Sequence, residues 1–205
     1  MSRGIIVLDA GHGQFGNPYP FVEGAYEGTR NFVLAGLLKK ALEDKGFEVL
    51  LTRNAIEDNP SLEARGKLAG ESGAMLFLSL HSNAPGSATT PEAYREVCGC
   101  EVYYAMADEA INAPLALALC REIADCMGTQ NRGAKTRTYP DQPGIDFYGV
   151  LRNSVAYGCK QAFIIEHGFH TNPHDSAFLN DDACMKRLAE VEAEVIYRWA
   201  LDKAE

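Results

Sequence analysis

Two histidines and a carboxylate, each standing where a run of aliphatic residues stops, are the groups in this chain best placed for chemistry. His12 follows Gly4-Ile5-Ile6-Val7-Leu8-Asp9-Ala10-Gly11, His81 follows Met75-Leu76-Phe77-Leu78-Ser79-Leu80, and Glu166 follows Ala162-Phe163-Ile164-Ile165. Two neutral imidazoles and a carboxylate form the ligand set of a catalytic zinc, which keeps a fourth position for water. Glu166 fits two roles, third ligand or base beside the metal. In the second case the third ligand comes from the first strand-to-helix connection, at Glu23 or Glu27. No His-Glu-x-x-His pattern occurs, so such ligands must be gathered from distant segments.

The elements that would gather them follow from hydrophobic patterning. Aliphatic runs without alternation predict strands covered on both faces of a parallel sheet, whose carboxyl ends carry function. Gly11 and Gly13 flank His12 and predict a sharp turn that leaves the imidazole uncrowded. A broken, aromatic loop spans Gln14 to Gly24, and a helix follows from about Tyr26 to Asp44, stopped by Gly46. Further strands are predicted at Phe47–Thr52, Met75–Leu80, Cys100–Ala105 (alternating, hence nearer an edge) and Ala162–Ile165. Helices are predicted from Ser61 to Glu71, as a short polar turn before Cys98, over Pro114–Met127, and from Asp182 to Leu201. Pro85–Pro91 and Asn131–Gly149 read as polar loops, the second long enough to suggest function. The expected fold is one α/β domain over residues 1–205, a mostly parallel or mixed twisted sheet of about five or six strands with helices on both faces.

Composition bounds the function. The chain has 205 residues, 46% hydrophobic and 23% charged, enough for one buried core. A net charge of −9 without a basic stripe argues against a nucleic-acid partner. No segment approaches the roughly 18 apolar residues of a membrane span. The N-terminus enters the first strand directly, so no signal peptide is expected, and a protein acting outside the membrane would be made in the cytoplasm and released or exported by another route. The six cysteines are expected to be reduced thiols; Cys98-Gly99-Cys100 is a poor zinc signature.

Six stretches, in order, resemble the zinc-dependent N-acetylmuramoyl-L-alanine amidases of the Amidase_3 type. They are Leu8-Asp9-Ala10-Gly11-His12-Gly13; Glu27 followed by Asn31; Leu51-Thr52-Arg53; Ser79-Leu80-His81-Ser82-Asn83-Ala84; Asn131-Arg132-Gly133-Ala134-Lys135; and Glu166-His167-Gly168-Phe169-His170-Thr171-Asn172. The resemblance implies a phosphorylase/hydrolase-like catalytic domain with one Zn²⁺ per chain on His12, Glu27 and His81, and Glu166 as the catalytic acid/base. It prefers Glu27 to Glu23 because the family's ligating glutamate opens a helix and has an asparagine four residues on, matched by Asn31. The implied reaction is hydrolysis of the bond between the lactyl group of N-acetylmuramic acid and L-alanine in peptidoglycan of the bacterial cell wall, in an autolysin or endolysin setting.

Around that centre, Asn83 would contact substrate or brace His81, and Arg132 would anchor a stem-peptide carboxylate or organise its loop. His167 and His170 depart from the family pattern; they would either support the metal or substrate, or lie on a solvent-facing polar loop. The competing readings are another zinc carboxypeptidase acting on muropeptides and a non-catalytic wall-binding relative.

Overall fold

The computed structural model describes residues 2–86 and 90–203. Six strands form one sheet: β1 (Ile5–Ala10), β2 (Glu48–Leu51), β3 (Leu76–Asn83), β4 (Cys100–Tyr104), β5 (Asn131–Lys135) and, after the small hairpin β6 (Thr138–Tyr139) and β7 (Gln142–Asp146), β8 (Ala162–Phe169). The sheet order is β2-β1-β3-β8-β4-β5; β2, β1, β3 and β8 are parallel, and β4 runs antiparallel to β8. The helices are α1 (Glu27–Glu43), α2 (Leu62–Glu71), α3 (Pro91–Glu96), α4 (Glu109–Met127), α5 (Gly149–Ala156), α6 (Pro173–Asn180) and α7 (Asp182–Asp202). None of the described helices is long and apolar enough to cross a membrane.

The two-residue period of a strand sorts the chemistry by face. Ile6 and Leu8 of β1, Leu76, Leu78 and Leu80 of β3, Val102 of β4, and Phe163 and Ile165 of β8 pack under α1, α4 and α7. The alternate residues Val7, Phe77, Ala162 and Ile164 pack with Ala69 of α2 and Leu151 of α5. On this second face the rows turn polar toward one edge: Val7 gives way to Asp9, Phe77 to Ser79 and His81, and Ile164 to Glu166.

Several boundaries differ from those predicted. His81 and Glu166 do not lie beyond their strands but within them, as register partners, because β3 and β8 continue their pairing to Asn83 and Phe169 past an irregularity after His81. Polar side chains on a sheet rim do not interrupt the backbone ladder, so side-chain polarity ended the predicted strands too early. β4 does lie near an edge, one strand in, with β5 outside it, and its alternation reflects Glu101 and Tyr103 facing the polar rim. The expected loop from Asn131 to Gly149 contains β5 and the β6–β7 hairpin, whose Gly- and Pro-marked sequence hides short polar strands. Of the expected Pro85–Pro91 loop, residues 87–89 lie outside the described residues. The six cysteines are free thiols.

Candidate metal centre and active site

The loop after β1 builds the first part of the site. His12 itself takes the left-handed conformation, with φ of 63°, uncommon for a residue with a side chain. Its carbonyl is held by Arg65 Nη2 at 3.1 Å. The loop then caps α1 with main-chain carbonyls: Glu27 N donates to Asn17 O at 2.9 Å and Gly28 N to Gly16 O at 3.2 Å. A Cβ on Gly28 would sit 1.7 Å from the Gly13 carbonyl oxygen, so only glycine lets α1 start this close to the loop. Arg53, buried at the end of β2, donates to Gly28 O at 2.9 Å and ties the same helix start to the sheet.

Glu27 is thereby placed in the first turn of α1, 1% exposed, where the helix dipole favours a carboxylate. His12 Nε2 lies 3.3 Å from its Oε2 and His81 Nδ1 lies 3.0 Å from its Oε1. Asn17 Nδ2 donates to Oε2 at 2.7 Å, and the Ser82 N–H to Oε1 at 3.0 Å. Burial would raise this carboxyl, but the hydrogen bonds from His12 and His81 and their charge hold it well below the usual carboxylate range. His81 is drawn up to about 9, against the effect of its burial, by Glu27 first and then by the nearby Glu166 and Asp9 charges.

The far side of His81 settles which nitrogen faces Glu27. Its Nε2 lies 3.2 Å from Ser79 Oγ, and that hydroxyl donates to Asp9 Oδ2 at 2.6 Å. Because the Ser79 hydrogen goes to the carboxylate, Nε2 must be the donor to Ser79, which directs Nδ1 at Glu27. Behind the ring is Gly11: a Cβ there would stand 2.2 Å from His81 Cε1. The glycine therefore makes room for the imidazole of His81, not for an approaching ligand as the turn pattern suggests.

The ligand atoms of His12, Glu27 and His81 all lie within 4.8 Å of one another, the arrangement of a group able to hold a metal ion. The donor set is chemically consistent with a metal, since Glu27 meets imidazoles and neutral donors and, among the described residues, no Arg or Lys pairs with it.

Glu166 shares a cavity of about 370 Å³ with these three residues, together with Asn83, Tyr94 and His170. Among the described residues, its Oε2 is buried without a hydrogen-bond partner. Burial, helped by the Glu27 and Glu101 charges and opposed by His81, raises its carboxyl to about 7. Glu23 is not among the cavity residues.

The remaining candidates occupy distinct places. Asn83 lines the cavity, and its side chain donates to Glu101 Oε1 at 2.8 Å. Arg132 donates from Nε to Glu101 Oε2 at 3.0 Å and from Nη1 to Cys98 O at 3.3 Å, contacts that organise its own strand. Neither extra histidine faces solvent: His167 is 1% and His170 4% exposed. His170 stacks on Tyr19, ring centroids 5.2 Å apart, and its Nδ1 sits 3.1 Å from Ser82 Oγ at the cavity wall. Burial depresses its pKa, leaving it neutral. His167 lies on the other face of β8, its Nδ1 donating to the His81 carbonyl at 2.9 Å and its Nε2 3.0 Å from Glu192 Oε1 of α7.

Asp9, Arg65, Glu101 and Glu192 have structural roles here that the sequence reading passed over. Glu192 carried a signal, being the one acid in the buried stripe Met185, Leu188, Ala189, Glu192, Ala193, Ile196 of α7.

Comparison with known proteins adds a family to this geometry. The profile described as N-acetylmuramoyl-L-alanine amidase (Amidase_3) matches residues 6–198. N-acetylmuramoyl-L-alanine amidase LytC of Bacillus subtilis (strain 168) is 28% identical over 191 residues, covering 90% of this chain and 33% of LytC. Among solved structures, the catalytic domain of CwlV from Bacillus (Paenibacillus) polymyxa var. colistinus superposes with a TM-score of 0.76 at 27% identity, covering 98% of this chain and 99% of that one. Cwp6 from Clostridium difficile gives a TM-score of 0.77 at 27% identity over 94% of this chain and 28% of Cwp6. This chain thus spans about a third of LytC and less of Cwp6, but nearly all of the CwlV catalytic domain.

Proposed function

The chain belongs to the N-acetylmuramoyl-L-alanine amidase family, and on that premise we propose that it is a zinc-dependent hydrolase of the amide between N-acetylmuramic acid and L-alanine in peptidoglycan. Residues 1–205 act as one catalytic domain in this reading, and the cell wall is where it works. The observation that carries it is the cluster of His12, Glu27 and His81 beside the unpartnered, buried oxygen of Glu166.

His12 Nε2, Glu27 and His81 Nδ1 would hold the zinc. When bound, zinc polarises a carbonyl and makes water more acidic. Glu166 performs the proton transfers: its carboxylate accepts a proton from the attacking water and returns it to the nitrogen of the departing L-alanine. A carboxyl pulled up toward 7 by burial suits both halves of that task near neutral pH. The Asp9–Ser79–His81 chain keeps the ligand nitrogen aimed, and neutral His170 shapes the wall opposite.

The test is product analysis on a defined muropeptide with zinc-loaded protein. A new L-alanine amino terminus and a peptide-free glycan are expected. Release of a carboxyl-terminal residue with the muramoyl amide intact would instead make the protein a carboxypeptidase.

A further inference from the structure

Glu166 stands between two cavities. One contains the His12, Glu27 and His81 cluster; the other, about 360 Å³, shares Glu166 and Asn83 with it and runs along β4 and β5. The walls of this second cavity carry two arginines, Arg132 and Arg137, beside the carboxyl groups of Glu101 and Glu166. Arg132 is already committed: it pairs with Glu101, as does Lys135 nearby, and Asn83 and Tyr103 also hydrogen-bond that carboxylate.

Arg137 is different. Its guanidinium carbon lies 3.9 Å from the ring centroid of Phe147 and 5.8 Å from that of Tyr148. Its own carbonyl accepts the Phe147 N–H at 2.7 Å, and Tyr148 packs on Tyr103 with centroids 4.9 Å apart. The guanidinium thus lies over a braced aromatic surface, and Arg137 lines the cavity. Among the described residues no carboxylate pairs with it. A stacked guanidinium loses little freedom when it binds, and its planar fork matches a carboxylate in two-pronged fashion.

We infer that this cavity receives the peptide arm of the substrate and that Arg137 takes a free carboxylate of the stem peptide. The inference rests on the amidase reading. The scissile amide joins an arm of neutral sugars to a peptide bearing carboxylates, so charge complementarity assigns the side of Glu166 that holds the uncommitted Arg137 to the peptide. The glycan arm then leaves on the other side, past Pro18 and Tyr94. Arg137 is a specificity residue that discriminates a stem-peptide carboxylate from its carboxamide.

The test is calorimetric titration of the whole chain with L-alanyl-γ-D-glutamyl-L-lysine and with the same peptide carrying an α-carboxamide on the second residue. The wild-type protein is expected to bind the acid form about tenfold more tightly, a difference that shrinks with added salt. Arg137→Gln is expected to erase the difference by weakening the acid form alone, with an unchanged circular dichroism spectrum. Equal binding of the two peptides to wild type, no binding of either, or equal weakening of both by Arg137→Gln would overturn the assignment. Cleavage of a muramoyl tripeptide by zinc-loaded wild type is read separately: its absence removes the amidase reading, while the titration still decides what the cavity binds.

Discussion

The Asp9 carboxylate and the Arg65 guanidinium meet at 2.6 Å beneath His12, both buried. Arg65 spends its other donors on the carbonyls of Ala10, His12 and Pro60 and on Asn59 Oδ1. Asp9 accepts Thr52 Oγ1 and Ser79 Oγ, each at 2.6 Å. One ion pair therefore supports both imidazoles, His12 through its main chain and His81 through Ser79.

Removing one partner of such a pair leaves a buried charge uncompensated. Arg65→Met is expected to cost about 3–5 kcal/mol of stability and to release the left-handed turn at His12. Denaturant unfolding measures the first effect. Competition with a zinc chelator measures the second, which should appear as weaker zinc binding at temperatures where the variant is still folded. Unchanged zinc affinity would show that His12 holds its place without Arg65.

The proposed division of labour at the centre separates two substitutions. Glu166→Ala should keep zinc in near-stoichiometric amount and lose about 10²–10⁴ of the turnover, the usual contribution of a general acid/base. His81→Ala should lose both metal and activity. Metal analysis of the purified variants decides the matter, and loss of zinc from Glu166→Ala would move Glu166 into the ligand set.

Much of this arrangement was legible in the chain because strands with two covered faces announce themselves by composition. The runs before His12, His81 and Glu166 gave the three central strands and the edge on which these residues gather. Periodicity by itself did not choose between Glu23 and Glu27; the family resemblance did, and the structure places Glu27 with the histidines. What stayed hidden depends on pairing partners remote in sequence. The position of β4 between β8 and β5 decides that Glu101 faces Glu166, and local alternation holds no information about which strand lies beside it. The braces at Arg65 and Glu192 are hidden for the same reason, since a buried ion pair is recognised only when both ends are in place.

Acid should act on the Glu101 cluster. Burial raises the Glu101 carboxyl, but Lys135, Arg132 and Tyr103 outweigh it and hold the pKa below its ordinary value. A carboxylate depressed in the folded state contributes stability that is complete above its unfolded pKa of about 4.3 and is lost as pH falls through the folded value. Glu101→Gln should therefore be less stable than wild type near neutrality, with the gap closing on acidification. Unfolding curves at about pH 7 and about pH 3 give the comparison. A gap that persists in acid would mean that the carboxylate charge is not what holds Arg132 and Lys135.

His167 and Glu192 form the brace on the opposite face. The His81 carbonyl can only accept, so His167 Nδ1 carries a hydrogen, and Nε2 faces a carboxylate oxygen at 3.0 Å. Although burial opposes it, the Glu192 charge raises the His167 pKa above its ordinary value. A raised histidine contributes stability that is complete below its unfolded pKa of about 6.5 and fades as pH rises through the folded value. In metal-free protein, Glu192→Leu should thus cost about 3–5 kcal/mol under mildly acidic conditions and less in alkali. The double variant His167→Leu/Glu192→Leu should recover part of that loss, because it removes the stranded imidazole together with its partner. If the double variant falls by the sum of the single losses, the two side chains act independently and His81 owes its main-chain position to β3 alone.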